Sequence, residues 1–503
     1  MTGAVADRAP ARPQLPSELR DARMLIGGAW VAAADASTLV VEDPSLAVAL
    51  AEAPAAGPVD VDRAVAVAAA AYPAWRALPA RARGAALSRI GAQMAERSEE
   101  IARIIALETG NAIRTQARGE AAAAADIFAY FGGVAAEQKG ETLPLGDDLL
   151  SYSVREPLGV VAGIIPWNAP VQLGALKIAM ALVTGNTLVL KAAEDAPLGV
   201  LRMAEICADE LPAGVLNVLT GHGETCGAGL LSHPGVAKIS FTGSTEVGRV
   251  ALRAAADRIL PVSLELGGKS PSIVYPDVAG DDATVDGVIA AMRFARQGQS
   301  CTAGSRLYVH EDAFDGFLAR LTDRLAALVI GDALDERSDV GALISRKQFE
   351  RVRGYVDEAA AQDAGVVTAG ADGGALAGYQ LRPTVVTGVE PDWRIAREEV
   401  FGPVLVAAPW SDEDAVLELA NRSHYGLAAY VWTQDLHAAL RAVGRLDAGW
   451  IQVNRGGGQL PGMSYGGRKQ SGLGAEYSIE GALESYTQRK SITMAIDLQR
   501  SAA

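Results

Sequence analysis

The stretch GVVAGIIPWN, residues 159–168, decides the fold. Its first seven residues, Gly159 to Ile165, form an apolar, β-branched run with the length and unbroken hydrophobicity of a strand buried on both faces. Pro166 stops the run and leaves Trp167 and Asn168 at its carboxyl end. Three further short runs follow: TLVL (Thr187 to Leu190), GVLNVL (Gly214 to Leu219) and KISFT (Lys238 to Thr242). They lie about 20 to 30 residues apart, room for one crossover helix each, so the alternation predicts an α/β fold with a doubly wound parallel sheet of the nucleotide-binding type.

Working outward, Asp60 to Ala125 is Ala-rich with apolar residues at helical spacing, and two or three helices are expected there. The preceding segment, Met1 to about Asp21, is punctuated by Pro10, Pro13 and Pro16 and has no periodicity, which reads as a mobile leader. On the other side, Pro261 to about Ser471 is a second α/β stretch, with strands expected at PSIVY (Pro271 to Tyr275), RLYVH (Arg306 to His310) and AAYVW (Ala428 to Trp432). No tandem repeat, low-complexity linker or heptad pattern separates the two. They are expected to pack directly, with a cleft between them as the natural site.

Composition narrows the classes. A chain of 503 residues, half of them hydrophobic, suits several packed units, while a net charge of −15 without Lys/Arg clusters argues against nucleic acid as a partner. There is no apolar run long enough for a signal peptide or a membrane span, so neither export nor a membrane is expected. Three cysteines cannot build a disulfide framework and fit a reducing compartment, the cytoplasm by default. Five scattered histidines with no zinc-type spacing point to no metal site.

Four segments could carry chemistry. In RQGQSCTAGSR, Cys301 is surrounded by Gly and small polar residues that let backbone amides approach a developing oxyanion; the alternative is a small buried hydrophobe, the reading given to Cys207 and Cys226. In ELGGKSP, Glu265 precedes two glycines that permit close backbone approach; it is either a base or a surface carboxylate beside a turn. Asn168 sits where open α/β sheets bind ligands, though Asn is also a common turn residue. FTGSTEVG (Phe241 to Gly248) joins a strand to a helix through Gly243 and Ser244, a geometry suited to phosphate. GHGETCG (Gly221 to Gly227) only imitates a phosphate loop, because Cys226 stands where its last glycine belongs.

Taken together, IIPWN, the Lys191 to Glu194 segment, FTGSTEVG, ELGGKSP, GQSCTAGSR, EEVFGPV (Glu398 to Val404) and YGGRKQSGLG (Tyr465 to Gly474) resemble, in order, the motifs of the NAD(P)-dependent aldehyde dehydrogenase superfamily, from about Met24 to Ser491. The resemblance implies Cys301 as nucleophile, with Asn168 and the Cys301 amide holding the oxyanion, Glu265 as base and Lys177 near the cofactor ribose. Read from its position alone, Lys177 is a helix-surface cation. For the cofactor it implies Ile164, Ile165, Pro166, Trp167, Lys191, Glu194, Gly243, Ser244, Leu266, Glu399 and Phe401. A carboxylate at Glu194 would accept bonds from ribose hydroxyls and repel a 2′-phosphate, so NAD is expected over NADP.

The same likeness implies a Rossmann-type NAD-binding domain (22–138 and 157–262), an α/β catalytic domain (263–483) and a small β oligomerisation arm (139–156 and 484–503). Edge strands in that arm would pair with a second copy, a tetramer more than a dimer. Ala169, Leu176, Ala295 and the Gly-rich NRGGGQLPG from Asn454 stand where many relatives have bulk, which points to a wide channel and a bulky or aromatic aldehyde substrate. Tyr465 replaces the phenylalanine common in its motif. A CoA-acylating relative would release the thioester to CoA, and Glu265 argues against it; a cofactor-free thiol esterase leaves the FTGSTEVG, Glu194 and Glu399 features without purpose.

Overall fold

The computed structural model describes residues 22–374 and 376–496. The expected leader and the last residues of the expected arm lie outside them. The first sheet has eight strands in the order Ala29–Val31, Met24–Ile26, Leu216–Leu219, Thr187–Lys191, Val160–Ile164, Lys238–Thr242, Val262–Glu265 and Gly472–Leu473. Its five central strands are parallel and its two edges are antiparallel. Every residue of Val160–Ile164, Thr187–Lys191, Leu216–Leu219 and Lys238–Thr242 is buried, as their unbroken apolar runs require.

The order of those strands locates the ligand edge. From Val160–Ile164 the chain steps outward to Thr187–Lys191 and Leu216–Leu219, then returns to the other side of Val160–Ile164 at Lys238–Thr242. Strand order therefore reverses between Val160–Ile164 and Lys238–Thr242, and their carboxyl ends open a crevice. Pro166 to Asn168 leave one end and Gly243 and Ser244 the other.

Four helices, Pro58–Ala77, Ala80–Glu96, Ser98–Thr109 and Arg118–Gly133, occupy the N-terminal stretch, more than the two or three expected. The breaks are short. Leu78 and Arg97 leave helical geometry for a residue or two and Gly110 takes a left-handed turn at φ 73°, interruptions that apolar periodicity reads straight through.

A second sheet of seven strands runs Gly365–Thr368, Thr384–Thr387, Val404–Trp410, Arg306–His310, Pro271–Val274, Ala428–Trp432 and Trp450–Val453. All pairs are parallel except the first. The chain leaves the first sheet at Glu265 and enters the second at Pro271. A third, antiparallel sheet pairs Thr487–Ala495 with Leu149–Pro157 and the latter with Thr142–Leu143.

Asn186 fastens this third sheet to the first. Its buried carbonyl accepts from the amides of Leu158 and Gly159 at 2.7 and 2.9 Å, and its amide donates to Thr184 Oγ1 and the Tyr486 carbonyl. Leu158, Gly159 and Tyr486 adjoin the ends of third-sheet strands, where those strands meet the core, and Thr184 closes helix Pro170–Val183. Asn186→Ala would leave buried backbone groups unpaired and is expected to cost roughly 2–4 kcal/mol. A lowered urea midpoint with an unchanged slope would register that loss; an unchanged midpoint would refute it.

Candidate active site

A cleft of about 450 Å³ lies along the switch point and is lined from both sheets. Pro166, Trp167, Asn168, Thr242, Gly243, Ser244, Glu265 and Leu266 come from the first; Cys301, Glu399 and Phe401 come from the second. Ten of these eleven are expected residues, Thr242 being the exception, and the structure brings them to one cavity.

Asn168 donates from Nδ2 to the Gln299 carbonyl at 2.9 Å, which ties the strand end to the cysteine loop. The second hydrogen of that amide remains for a ligand. The loop itself is tightly turned: Gln297 and Gly298 are left-handed, at φ 51° and 65°, and a Cβ on Gly298 would fall 2.0 Å from the Gly402 carbonyl. Only glycine fits there.

The segment after Glu265 passes equally close. A Cβ at Gly268 would lie 2.2 Å from the Cys301 carbonyl, and one at Gly267 would lie 2.4 Å from Glu399 Oε2. The Gly268 amide donates to Glu399 Oε1 at 3.0 Å. The two glycines let one strand-to-strand crossing touch both the cysteine loop and the Glu399 segment.

Burial dominates the electrostatics. The Cys301 thiol is pushed up to about 12, first by burial and then by Glu399 and Glu265. Glu265 has no hydrogen-bond partner on either carboxylate oxygen, and burial, then Glu476, holds its carboxyl well above the usual carboxylate range. Glu399 is raised to about 7, again by burial. A charge in this cleft is costly until a ligand arrives.

Lys177 is neither a helix-surface cation nor a wall of the cleft. Helix Pro170–Val183 is buried on all faces, and Lys177 Nζ donates to Ser240 Oγ at 3.0 Å and Glu476 Oε1 at 3.1 Å beneath the site. Glu476 lines the cleft and escaped the sequence reading, although it follows the YGGRKQSGLG motif by two residues. Lys347, Gln348 and Arg351, on helix Arg346–Ala361, escaped it too. Gln348 Nε2 donates to the Phe401 carbonyl and Arg351 to the carbonyls of Val400 and Glu399, so this helix holds the loop that presents Phe401. No spacing signals these residues, because their role is set by a loop about 50 residues downstream.

The cleft suits a dinucleotide. Ser244 caps helix Thr245–Ala256 by accepting from the Val247 amide, and the other first-turn amides have no partner within the helix. Thr242 Oγ1 is buried without a partner, and a Cβ on Gly243 would meet the Phe241 ring at 2.6 Å. Trp167 and Phe401 meet edge to face, with centroids 5.4 Å apart.

Ile164, Ile165, Lys191 and Glu194 do not line this cavity; they continue the same strand edge, Ile164 opposite Lys191. Lys191 Nζ donates to Glu194 Oε2 at 3.0 Å. Burial pushes the Glu194 carboxyl up, but Lys191 outweighs it and the net shift is downward, toward a carboxylate. Glu194 Oε1 also faces the Gly223 amide at 3.5 Å, so the imitation phosphate loop meets a carboxylate.

The expected wide channel needs correction. Ala169 and Leu176 are buried in the interior and, like Ala295, do not line the cleft; of the Gly-rich stretch, only Gln459 does. The walls near Cys301 are Leu173, Tyr465, Tyr477 and Gln459. No cluster of three or more His, Cys, Asp or Glu side chains that could hold a metal ion occurs among the described residues, nor a helix long and apolar enough to cross a membrane.

The electrostatics make a testable statement. Above about 7, Glu399 carries charge that opposes the thiolate, so removing the charge should ease ionisation. Glu399→Gln keeps an acceptor for the Gly268 amide and is expected to lower the pH midpoint of Cys301 alkylation by iodoacetamide, by up to about one unit. A midpoint that stays or rises would contradict this account.

Known proteins resemble this chain over most of its length. Residues 30–492 match the aldehyde dehydrogenase family. The chain is 42% identical over 483 residues to a phenylacetaldehyde dehydrogenase of Pseudomonas fluorescens, covering 94% of this chain and 96% of that one. It is 41% identical to a hydroxyisobutyraldehyde dehydrogenase of Mycolicibacterium austroafricanum, with 95% and 94% covered. An NAD+ complex of an aldehyde dehydrogenase from Bacillus cereus superposes with a TM-score of 0.91 at 34% identity, covering 95% of this chain and 97% of that one. With most of its motifs gathered on one cleft and nearly all of its length matched by such relatives, the chain belongs to the aldehyde dehydrogenase family, oxidoreductases that act on aldehydes.

Proposed function

We propose that this protein oxidises an aldehyde to a carboxylic acid with NAD, and that a bulky or aromatic aldehyde is its substrate. The observation that carries the reading is the single cleft holding Cys301, Asn168 and Glu265 beside Trp167, Ser244, Glu399 and Phe401. Cys301 Sγ attacks the carbonyl carbon, and the free Asn168 hydrogen and the Cys301 amide receive the oxygen. The chemistry NAD supplies when bound is acceptance of a hydride, which takes the carbon on sulfur to the thioester level.

Glu265 then takes a proton from the water that opens the thioester. Its unpartnered oxygens and raised proton affinity suit a base working near neutrality. Beneath the site, Glu476 adds to the burial that raises that affinity, and Lys177, bonded to Glu476, works against it. Pro166, Trp167, Gly243, Ser244 and Leu266 would hold the pyrophosphate end, with Glu399 and Phe401 at the nicotinamide. Lys191 and Glu194, with Ile164 and Ile165 behind them, would hold the adenosine ribose, and the Glu194 carboxylate favours NAD over NADP.

In this reading residues 22–138 and 157–262 form the NAD-binding domain and 263–483 the catalytic domain, with strand Val262–Glu265 crossing that boundary and Gly472–Leu473 of the catalytic domain returning to the edge of the first sheet. Support for an aromatic substrate comes from Tyr465 and Tyr477 beside the thiol and from the phenylacetaldehyde dehydrogenase among the relatives. All three cysteines are free thiols, which fits a reducing cytoplasm. NAD reduction followed at about 340 nm, the nicotinamide band, is expected with aromatic aldehydes, to favour NAD over NADP, and to vanish in Cys301→Ala. Preference for acetaldehyde would sink the substrate reading, and activity only with CoA or on esters would sink the reaction.

The third sheet supports a homo-oligomer, a tetramer more than a dimer. Its strands leave Leu143, Leu150 and Met494 exposed, together with unpaired edges that a second copy could continue. Sedimentation equilibrium is expected to give four copies at micromolar concentration; a monomer would refute this.

A further inference from the structure

We propose that Tyr465 is a further catalytic residue whose hydroxyl donates a hydrogen bond to the Cys301 thiolate and holds the sulfur in its attacking position. The inference rests on Cys301 being the nucleophile. The Tyr465 oxygen stands 4.0 Å from Cys301 Sγ, at the outer reach of a bond to sulfur, and no other side chain among the described residues makes a hydrogen bond to that atom.

The hydroxyl is held in place. Tyr465 is buried, and its ring sits edge to face between Trp450 and Tyr477, with centroids 5.8 and 5.6 Å away. Its backbone pairs in both directions with Glu476, at 3.1 and 2.7 Å, in a two-residue antiparallel bridge. Tyr477 is itself fixed by Gln172 Nε2, which donates to its hydroxyl at 3.1 Å. A phenol so confined cannot swing into solvent; its hydroxyl faces Gln459 and Cys301 Sγ, and of the two the sulfur is the one that can accept its hydrogen as an anion.

The chemistry favours donation rather than proton transfer. Burial, then Cys301 and Glu265, holds the Tyr465 phenol well above its ordinary value, so the hydrogen stays on oxygen. Burial, Glu399 and Glu265 all oppose the thiolate, while Tyr465 and the more distant Arg296 favour it. Hydrogen bonds to an ionised partner are about twice as strong as neutral ones, so this contact strengthens as the thiol ionises. Phenylalanine at this position would fill the same aromatic space without the donor.

Tyr465→Phe keeps the ring packing and removes only the oxygen. Alkylation of Cys301 by iodoacetamide, followed across pH by mass spectrometry of the Cys301 peptide in the full-length protein, reads ionisation of that thiol apart from turnover. The midpoint is expected to rise by roughly one unit, about tenfold slower alkylation below it, with kcat reduced and KM little changed. Superimposable alkylation profiles in a variant with wild-type melting would overturn the proposal and leave Tyr465 as packing alone. A Cys301→Ala variant that still reduced NAD would instead remove the nucleophile, an outcome the alkylation curves do not depend on.

Discussion

The whole site hangs on a close approach of main chain. Between Glu265 and Pro271 the polypeptide crosses from one sheet to the other, and at Gly267 and Gly268 it runs too near Glu399 and the Cys301 carbonyl for any side chain to intervene. That crossing sets the spacing of the two sheets at the switch point. The Asn168 bond to the Gln299 carbonyl closes the same gap from the other side. Glu265, Cys301 and Asn168 thus come from three segments tied together by close main-chain approach and by short side-chain-to-backbone bonds, which suits a reaction whose rate depends on alignment.

A second consequence follows from burial. The cleft pushes Cys301, Glu265 and Glu399 toward their neutral forms, so the thiol and the carboxyl of Glu265 hold little charge at rest. Such a site discourages indiscriminate reaction of the thiol and concentrates the effect of each donor aimed at it. The buried Lys177–Glu476 pair, at 3.1 Å, is the nearby exception, and it supplies the charge against which Glu265 is tuned.

Much of the site was legible because family motifs sit at the ends of strands. IIPWN, FTGSTEVG, ELGGKSP and GQSCTAGSR each close an element with residues whose backbone demands are local, and the structure gathers them on one edge. Residues that act through other residues were not legible. Glu476 meets Lys177 across 299 positions, and Gln348 and Arg351 hold Phe401 across about 50, distances at which no periodicity connects partners. The residues expected to widen the channel were misplaced for the same reason: the identities of Ala169 and Leu176 say nothing about which way they face, and both are buried away from the cleft.

The sequence by itself determined the α/β alternation, the strands and their approximate ends, because hydrophobic period and turn chemistry act over a few neighbouring residues; through its family resemblance it also singled out Cys301, Glu265 and Asn168 as the candidates for nucleophile, base and oxyanion donor. Only the tertiary structure decided the strand order that opens the crevice, the place of Lys177 beneath it and the meeting of Tyr465 with Cys301. Those depend on packing between segments from tens to hundreds of residues apart, where burial and close contact choose the partner.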